Sequence, residues 1–468
     1  MNWLEDLREA YYKKGSFSHA SPKRICLFPY TTSPITPNVL SELKSFKVIC
    51  GESLRDLAEV DNTISCTPSA VIANIKDKVD TENFTDLAHI IKAILFDEEE
   101  QIFCFHPTIF YHLSSENKVK TITTLAQFTR DIFFADQVNL GADFSTGEVP
   151  SNVFHSLVLK NLPPLGSRKK KRSVSYYRAQ DPLHKCFVKD CLFLQRNSQL
   201  YAAQLPELLK FYYFIYQLRL VESLNNFFVN IDQKPFFFSV DWESLSKGRQ
   251  AFQVGWRRVD HKLFSIFSHT HCLEMLSYIP FDGLETPFAY DEIKMWVQNA
   301  SSENRQVATR HVNELIDFYL ESIEQLNFDW SRFHKINSKV GGENLTDRIK
   351  YFYELVHFQF ENSNRKAAST RYSKWLSQFA VSSYLKRRGP LGHTLCFSRD
   401  QLLFLTRLCI GDNPDEKIRL TELWKEFSRR GVVYDFESQK QILNLFNQLN
   451  LIEKKSDSGD AQYVRAIF

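Results

Sequence analysis

The most regular alternation of apolar and polar positions lies at the C-terminal end of the chain. Ser398 precedes Leu402, Leu403, Leu405 and Leu408, a run at helical spacing with its own N-cap, and Gly411-Asp412-Asn413-Pro414 breaks it. Leu420, Leu423, Trp424 and Phe427 fall on one face of a second helix that stops at Arg430-Gly431. A third helix is predicted to start near 435–438, to bury Ile442, Leu443, Phe446 and Leu449, and to end at Asn450. Residues 451–455 and 462–468 then predict two strands joined by the polar turn Ser456-Asp457-Ser458-Gly459-Asp460. Three helices followed by a hairpin predict a winged-helix (α+β) domain over 396–468.

Upstream the pattern is helical. Pro206-Glu207 is positioned to start a helix running to about residue 228, apolar on most sides and therefore central. Val312, Leu315, Ile316, Tyr319, Ile323 and Leu326 follow three- and four-residue steps, and 345–360 turns Ile349, Phe352, Val356 and Phe360 inward. Residues 1–160 open with a short amphipathic helix. Turns rich in Pro, Ser and Thr follow, with apolar segments at 87–96 and 102–111, and this pattern selects no fold class. The chain carries no internal repeat, so a solenoid is not expected. The fold expected is mainly α: a multi-domain helical protein with a C-terminal winged helix. The segments are an N-terminal domain (1–160), a linker (161–180), a helical central domain (181–390) and the winged helix (396–468).

Charge is what draws those boundaries. The net charge is only +3, yet 149–180 has no Asp or Glu and contains Lys160, Arg168, Lys169, Lys170, Lys171, Arg172 and Arg178. Pro163-Pro164 and Gly166-Ser167 precede its run of five cations, a composition suited to an exposed linker. Residues 362–399 are also free of acids and contain Arg365, Lys366, Arg371, Lys374, Lys386, Arg387, Arg388 and Arg399, so the rest of the chain is acidic. The second stretch ends at Gly389-Pro390-Leu391-Gly392, which should stop a helix and open a loop.

Composition excludes several classes. Of 468 residues 43% are hydrophobic and 24% charged, enough to build sizeable cores rather than a disordered chain. With 40 Phe against 3 Met, those cores are built from flat, bulky rings. The nine cysteines are scattered and never spaced C-x-x-C, which predicts reduced, buried thiols in a cytoplasmic protein. The charged start Met1-Asn-Trp-Leu-Glu-Asp has no apolar signal run, and no stretch approaches the roughly 20 residues that span a bilayer, so export and membrane insertion are not expected.

Two places could meet nucleic acid. The third C-terminal helix would present Ser438, Lys440, Gln441, Asn444 and Asn447 to a major groove, but Asp435 and Glu437 stand there against Lys440 alone, which disfavours that use. In 362–399, Tyr372, Trp375, Phe379 and Tyr384 interleave with Arg365, Lys366, Arg371, Lys374, Lys386, Arg387 and Arg388. Either the rings stack on bases while the cations neutralise phosphates, or the rings are core and the cations simply face solvent. Arg168 to Arg172 predict little more than a solvated loop.

Catalytic chemistry is not indicated. The Gly141–Gly147 spacing is one residue too long for a phosphate loop, and Glu148 stands where Lys is needed. Asp291, Glu292 and Lys294, with Asp241, resemble part of a metal-dependent nuclease, but Asp291 is expected to start a helix through Met295 and Trp296 rather than a carboxylate-bearing strand. His269, His271, Cys272 and Glu274 lack a second pair for a metal and are expected to be packed residues of a helix. No nucleophile elbow occurs, and no cofactor is expected.

One resemblance stands out. Arg429-Arg430-Gly431, then Asp435, then Leu449-Asn450-Leu451-Ile452-Glu453-Lys454-Lys455-Ser456-Asp457-Ser458-Gly459-Asp460-Ala461-Gln462-Tyr463-Val464 resemble the end of the DptG family. A looser likeness to that family is Phe237-Phe238-Ser239-Val240-Asp241-Trp242-Glu243-Ser244-Leu245-Ser246-Lys247-Gly248-Arg249 followed by Gly255-Trp256. That family is the accessory component of bacterial phosphorothioation-dependent DNA restriction systems. The resemblance implies a non-catalytic, DNA-engaging adaptor in anti-phage defence. Its partners would be one ATPase-like and one helicase- or translocase-like subunit, acting on DNA that lacks the sulfur modification. A free-standing winged-helix DNA-binding regulator and a metal-dependent nuclease are the alternatives.

Overall fold

Short polar side chains set many of the helix starts. Asn2, Thr36, Asn152, Asn197, Asn344, Ser398 and Asp435 each accept a hydrogen bond from a backbone amide two or three residues on, capping the helix that follows. The structure is a computed structural model and describes the chain except residues 1, 14, 20–21, 77, 81, 99, 114–119, 135–151, 169–174, 230–233, 324–331, 334–341, 414, 455–461 and 467–468. The Gly141–Glu148 stretch, Lys169 to Arg172 and the turn 456–460 therefore lie outside the described residues.

The molecule is mainly helical. Its first third comprises α1 (Trp3–Tyr11), the small hairpin β1 (Tyr12–Lys13) and β2 (Ser16–Phe17), α2 (Pro37–Ser45), α3 (Lys47–Ala58), β3 (Val60–Asn62), α4 (Pro68–Lys76), α5 (Phe84–Leu95), α6 (Lys120–Phe133) and α7 (Val153–Leu159). α2 and α6 pack on α3, which is buried along nearly its whole length, while α4 packs with α5 and α7, and α1 lies against Glu274 and His311 of the centre. The segment 161–180, expected to be an exposed linker, is partly exposed, at Pro164, Ser167, Ser175 and Gln180, but is otherwise built into the fold where it is described. Leu165–Ser167 forms β4, paired antiparallel with β3. Arg168 joins a buried ion network in which it pairs with Glu52 and Asp56, Arg130 pairs with Asp56 and Asp131 at 2.7 Å each, and Arg55 pairs with Glu52 at 2.6 Å. Two carboxylates of α3 recruit a cation that composition alone assigned to solvent. Tyr176 and Tyr177 follow it into the core.

The centre is α8 (Leu183–Gln195) followed by α9 (Ser198–Asn226), then β5 (Phe236–Val240), the single turns α10 (Gln250–Gln253) and α11 (Arg257–Asp260), α12 (Ile266–Leu276), α13 (Tyr290–Asn299), α14 (Ser302–Ile323), α15 (Leu345–Asn362) and α16 (Lys366–Ser383). α9 has 29 residues, spans roughly 44 Å and is buried on every side from Leu208 to Val221. It begins eight residues before the expected start, with Asn197 as its cap and Pro206 inside it. An interior proline costs about 3 kcal/mol, which burial of Tyr201, Ala202, Leu205, Leu208 and Leu209 around it offsets. α15 spans the predicted segment.

The last part is α17 (Arg399–Ile410), β8 (Lys417–Arg419), α18 (Leu420–Arg429), β9 (Val432–Tyr434), α19 (Phe436–Gln448), β10 (Ile452–Lys454) and β11 (Gln462–Arg465), preceded by β6 (Leu385–Arg387) and β7 (His393–Phe397). The three helices and the terminal hairpin stand where periodicity placed them, and β8 adds a third antiparallel strand in the order β10-β11-β8. Gly431 has φ +85°, and a Cβ there would meet Ile215 Cγ2 at 2.7 Å, so glycine is required both by conformation and by contact with α9.

The C-terminal elements do not pack as a separate body. β5 lies between β7 and β9, parallel to both, in a four-stranded sheet of order β6-β7-β5-β9, so chain on both sides of residue 390 shares one sheet. Two buried clusters reinforce the junction. Arg430, fully buried, holds Asp190 of α8 bidentately at 2.6 and 2.8 Å and Glu426 at 2.5 Å. Arg249 bonds Asp435 at 2.5 and 2.8 Å and Glu243 at 2.9 Å. Among the described residues no helix is long and apolar enough to cross a membrane.

Candidate nucleic-acid interface

The acid-free stretch 362–399 folds into α16, β6 and β7, and helical spacing sorts its side chains. Positions 372, 375, 376 and 379 fall on the inner face and 371, 374, 378 and 381 on the outer one. Trp375 is 2% exposed, its indole N–H donates to the Thr31 carbonyl at 3.0 Å, and its ring stacks on Tyr30 with centroids 6.0 Å apart. Tyr372 meets Tyr30 edge-on, Phe379 packs on Tyr213 and Phe214, and Tyr384 stacks on Phe214 at 4.5 Å. The base-stacking expectation for these rings is thereby overturned: a helix this closely packed on α9 and on residues 30–31 has no exposed aromatic face. Trp375 is a core residue, not a binding residue.

The cations divide in the same way. Arg365 is drawn inward, bonding His19 and donating to the Phe17 carbonyl at 2.5 Å, and burial pulls its pKa below the usual guanidinium range. Arg388 also has a structural role, donating to the carbonyls of Val240 at 2.7 Å and Glu243 at 2.5 Å. Lys366, Arg371, Lys374, Lys386 and Arg387 remain exposed, and none has an ion-pair partner among the described residues. Arg371 and Lys386 do bond backbone carbonyls, of Thr32 and Asp241. Lys44, on α2 packed against α16, is exposed as well. It was missed because only the fold brings α2 beside the basic stretch.

The other candidate, α19, is anchored by the end that would enter a groove. Asp435 is held by Arg249 and accepts the amides of Ser438 and Ala251; although burial opposes ionisation, these contacts keep its carboxyl below the usual range. Ser438 is 0% exposed and donates to Glu243 at 2.7 Å, so it cannot touch a base. Lys440 and Asn444 are exposed and Gln441 is half-buried further along the helix. These three are not brought beside the α16 cations by any contact described above.

The remaining chemistry-bearing residues have structural partners. Asp291 and Glu292 lie in the first turn of α13, where Glu292 accepts the Ala289 amide at 2.9 Å and the Tyr177 hydroxyl at 3.1 Å, while Asp241 and its neighbours belong to the turn after β5. On α12, His269 bonds Tyr290 at 3.0 Å and His271 packs against Phe267 and Phe360. Glu274 accepts from the Tyr11 hydroxyl at 2.6 Å and from the amides of Lys23, Arg24 and Ile25 at 2.7 to 3.0 Å. Among known proteins, no family model and no curated sequence matches the chain.

Proposed function

We propose that this protein is a non-catalytic, DNA-engaging adaptor subunit of a restriction complex of the phosphorothioation-dependent, anti-phage kind, working in the cytoplasm beside ATPase-like and helicase- or translocase-like partners. The likeness of residues 429–464 and 237–256 to the DptG family motivates the system. The DNA half rests on one observation: α16 and β6 turn five cations outward while every ring of the stretch is buried. Cations without exposed rings suit sequence-independent contact with backbone phosphates. The salt dependence of duplex binding tests this. If Lys366, Arg371, Lys374 and Arg387 each neutralise one phosphate, changing all four to Ala lowers the slope of log K against log salt by about 3.6. Unchanged slope, or a native protein that binds no DNA, would turn the basic surface into a dock for an acidic protein.

A winged-helix regulator is the second reading, favoured by the order α17, β8, α18, α19, β10, β11 and by the antiparallel three-stranded sheet. The burial of Asp435 and Ser438 argues instead for a winged helix used in assembly, because the start of a recognition helix is normally the part that reaches bases. On the adaptor reading, changing Lys440, Gln441 and Asn444 to Ala leaves duplex affinity and sequence preference unchanged. Loss of sequence-selective binding would favour the regulator.

A further inference from the structure

The segment 237–249 resembles the DptG family yet has no part in the phosphate-contact reading. Its first four residues belong to β5, and the turn after β5 carries Trp242. Of the tryptophans among the described residues, Trp3, Trp256, Trp296, Trp375 and Trp424 are in the core or packed against it, whereas Trp242 is 37% exposed and outside it. No aromatic ring or cation lies on its indole, and no acceptor takes its N–H, among the described residues. Phe103 and Phe436 are exposed as well, but Trp242 is the one exposed ring among the described residues that sits in a turn held by residues of the basic stretch.

The turn that presents it is rigid, and the basic stretch makes it so. Arg388 grips the carbonyls on both sides of Trp242, Val240 at 2.7 Å and Glu243 at 2.5 Å, and Lys386 bonds the Asp241 carbonyl between them. The Val240 amide donates to Glu243 Oε1 at 2.7 Å, and the Asp241 amide donates to the Phe397 carbonyl at 3.0 Å. Of the two acids beside the ring, Glu243 is turned inward to Arg249 and Ser438, leaving Asp241. Exposed Arg387, and exposed Lys247 in the loop that follows, keep the surroundings basic. The cations of α16 run along a helix about 27 Å long that continues into β6, whose residues hold this turn.

We propose that Trp242 is a base-stacking platform at the end of that phosphate track, binding an unpaired nucleobase of a single-stranded end, gap or branch. A flat ring beside cations recognises a base by its π-face, without sequence preference, and cannot reach bases that are stacked inside intact duplex. This rests on the phosphate-contact reading and adds to it the state of the DNA strand. It also moves the stacking function from Trp375 and Tyr372, which are core, to a ring 130 residues earlier in the chain.

The test uses the full-length protein and two fluorescein-labelled probes of equal length, an oligo(dT) strand and a blunt duplex, with wild type, Trp242→Ala, Trp242→Phe and the Arg371→Ala/Lys374→Ala variant. Trp242→Ala is expected to weaken oligo(dT) binding about 5- to 160-fold and to leave duplex binding and both salt slopes unchanged, with Trp242→Phe recovering most of the loss. The α16 variant should instead lower the salt slope on both probes. Oligo(dT) affinity unchanged in Trp242→Ala, or equal loss on both probes, overturns the platform while leaving the phosphate reading intact. If wild type binds neither probe, both fall. An unaltered thermal melt of Trp242→Phe keeps the comparison valid should the alanine variant be unstable.

Discussion

Arg430 offers the sharpest test of how the C-terminal elements are joined to the rest. It is fully buried, and its guanidinium donates to both Asp190 oxygens, to Glu426 Oε2, and to the carbonyls of Glu426 at 3.1 Å and Leu408 at 3.4 Å. Arg430→Met would leave Asp190, itself buried, with the Tyr212 hydroxyl at 2.6 Å as its remaining side-chain donor, while Glu426 would keep Arg429 and Lys189. Breaking a buried pair on one side strands a charge and costs about 3–5 kcal/mol; Asp190→Leu leaves Arg430 its ion pair with Glu426 and therefore falls at the lower end, about 3 kcal/mol. Removing both strands neither, so Arg430→Met/Asp190→Leu should cost about 0–2 kcal/mol. The coupling energy is then roughly 3 kcal/mol or more, far above the few tenths expected of independent sites. Urea unfolding of the four proteins measures it. Additive single costs, or a loss of less than about 1 kcal/mol in either single variant, would refute the idea that this pair is the joint between α8 and α18.

Other consequences can be measured in parallel. Trp375→Ala should destabilise the protein by about 3–5 kcal/mol in urea and leave the salt slope of DNA binding unaltered; the reverse pattern would return the ring to the interface. Burial lowers the pKa of His271 to about 3, with nearby Arg365 adding to the effect. Its contribution to stability is therefore complete above the ordinary histidine value of 6.5 and lost as pH falls from there towards 3. His271 contributes about 1.4 kcal/mol per pH unit to the slope between pH 6 and 4, beside the buried His19, His112 and His269, whose pKa values are lowered as well. His271→Phe should reduce the total slope by that amount, and an identical slope in that variant would exclude His271. Glu274→Ala removes four acceptor contacts, so amides 23–25 should exchange with deuterium much faster, whereas protection at wild-type levels would mean the segment is held elsewhere.

Legibility from sequence followed the range of the interactions. The start of α17 is visible because Ser398 is a local cap ahead of a periodic apolar run, and those of α15 and α19 follow from their apolar runs, with Asn344 and Asp435 capping them in the structure. The start of α9 was misplaced because Pro206 is a strong local signal that tertiary packing overrides. β5, β7 and β9 are short apolar runs whose partners lie far away, and periodicity cannot tell such a strand from a buried helix segment. At the interface, the absence of acids was plain, and so was the spacing of Tyr372, Trp375, Leu376 and Phe379 on one face. That spacing carries the core reading of the rings, which local sequence leaves open beside stacking because burial depends on what α16 packs against. The role of Arg168 and the exposure of Trp242 were not visible, since each depends on which residues the fold brings near.

The parallel placement of β5 has a consequence for how the chain is made. Phe236–Val240 carries three successive phenylalanines, yet its neighbours, Cys396 with Phe397 and Val432 to Tyr434, leave the ribosome only after a further 150 residues or more. At about 5–20 residues per second, this apolar strand waits roughly 10–30 seconds or longer with both edges unpaired. During translation it is a short, sticky segment of the kind that chaperones hold and that aggregates in their absence. Chains truncated near residue 390 should consequently emerge insoluble, because the residues that would cover β5 never arrive.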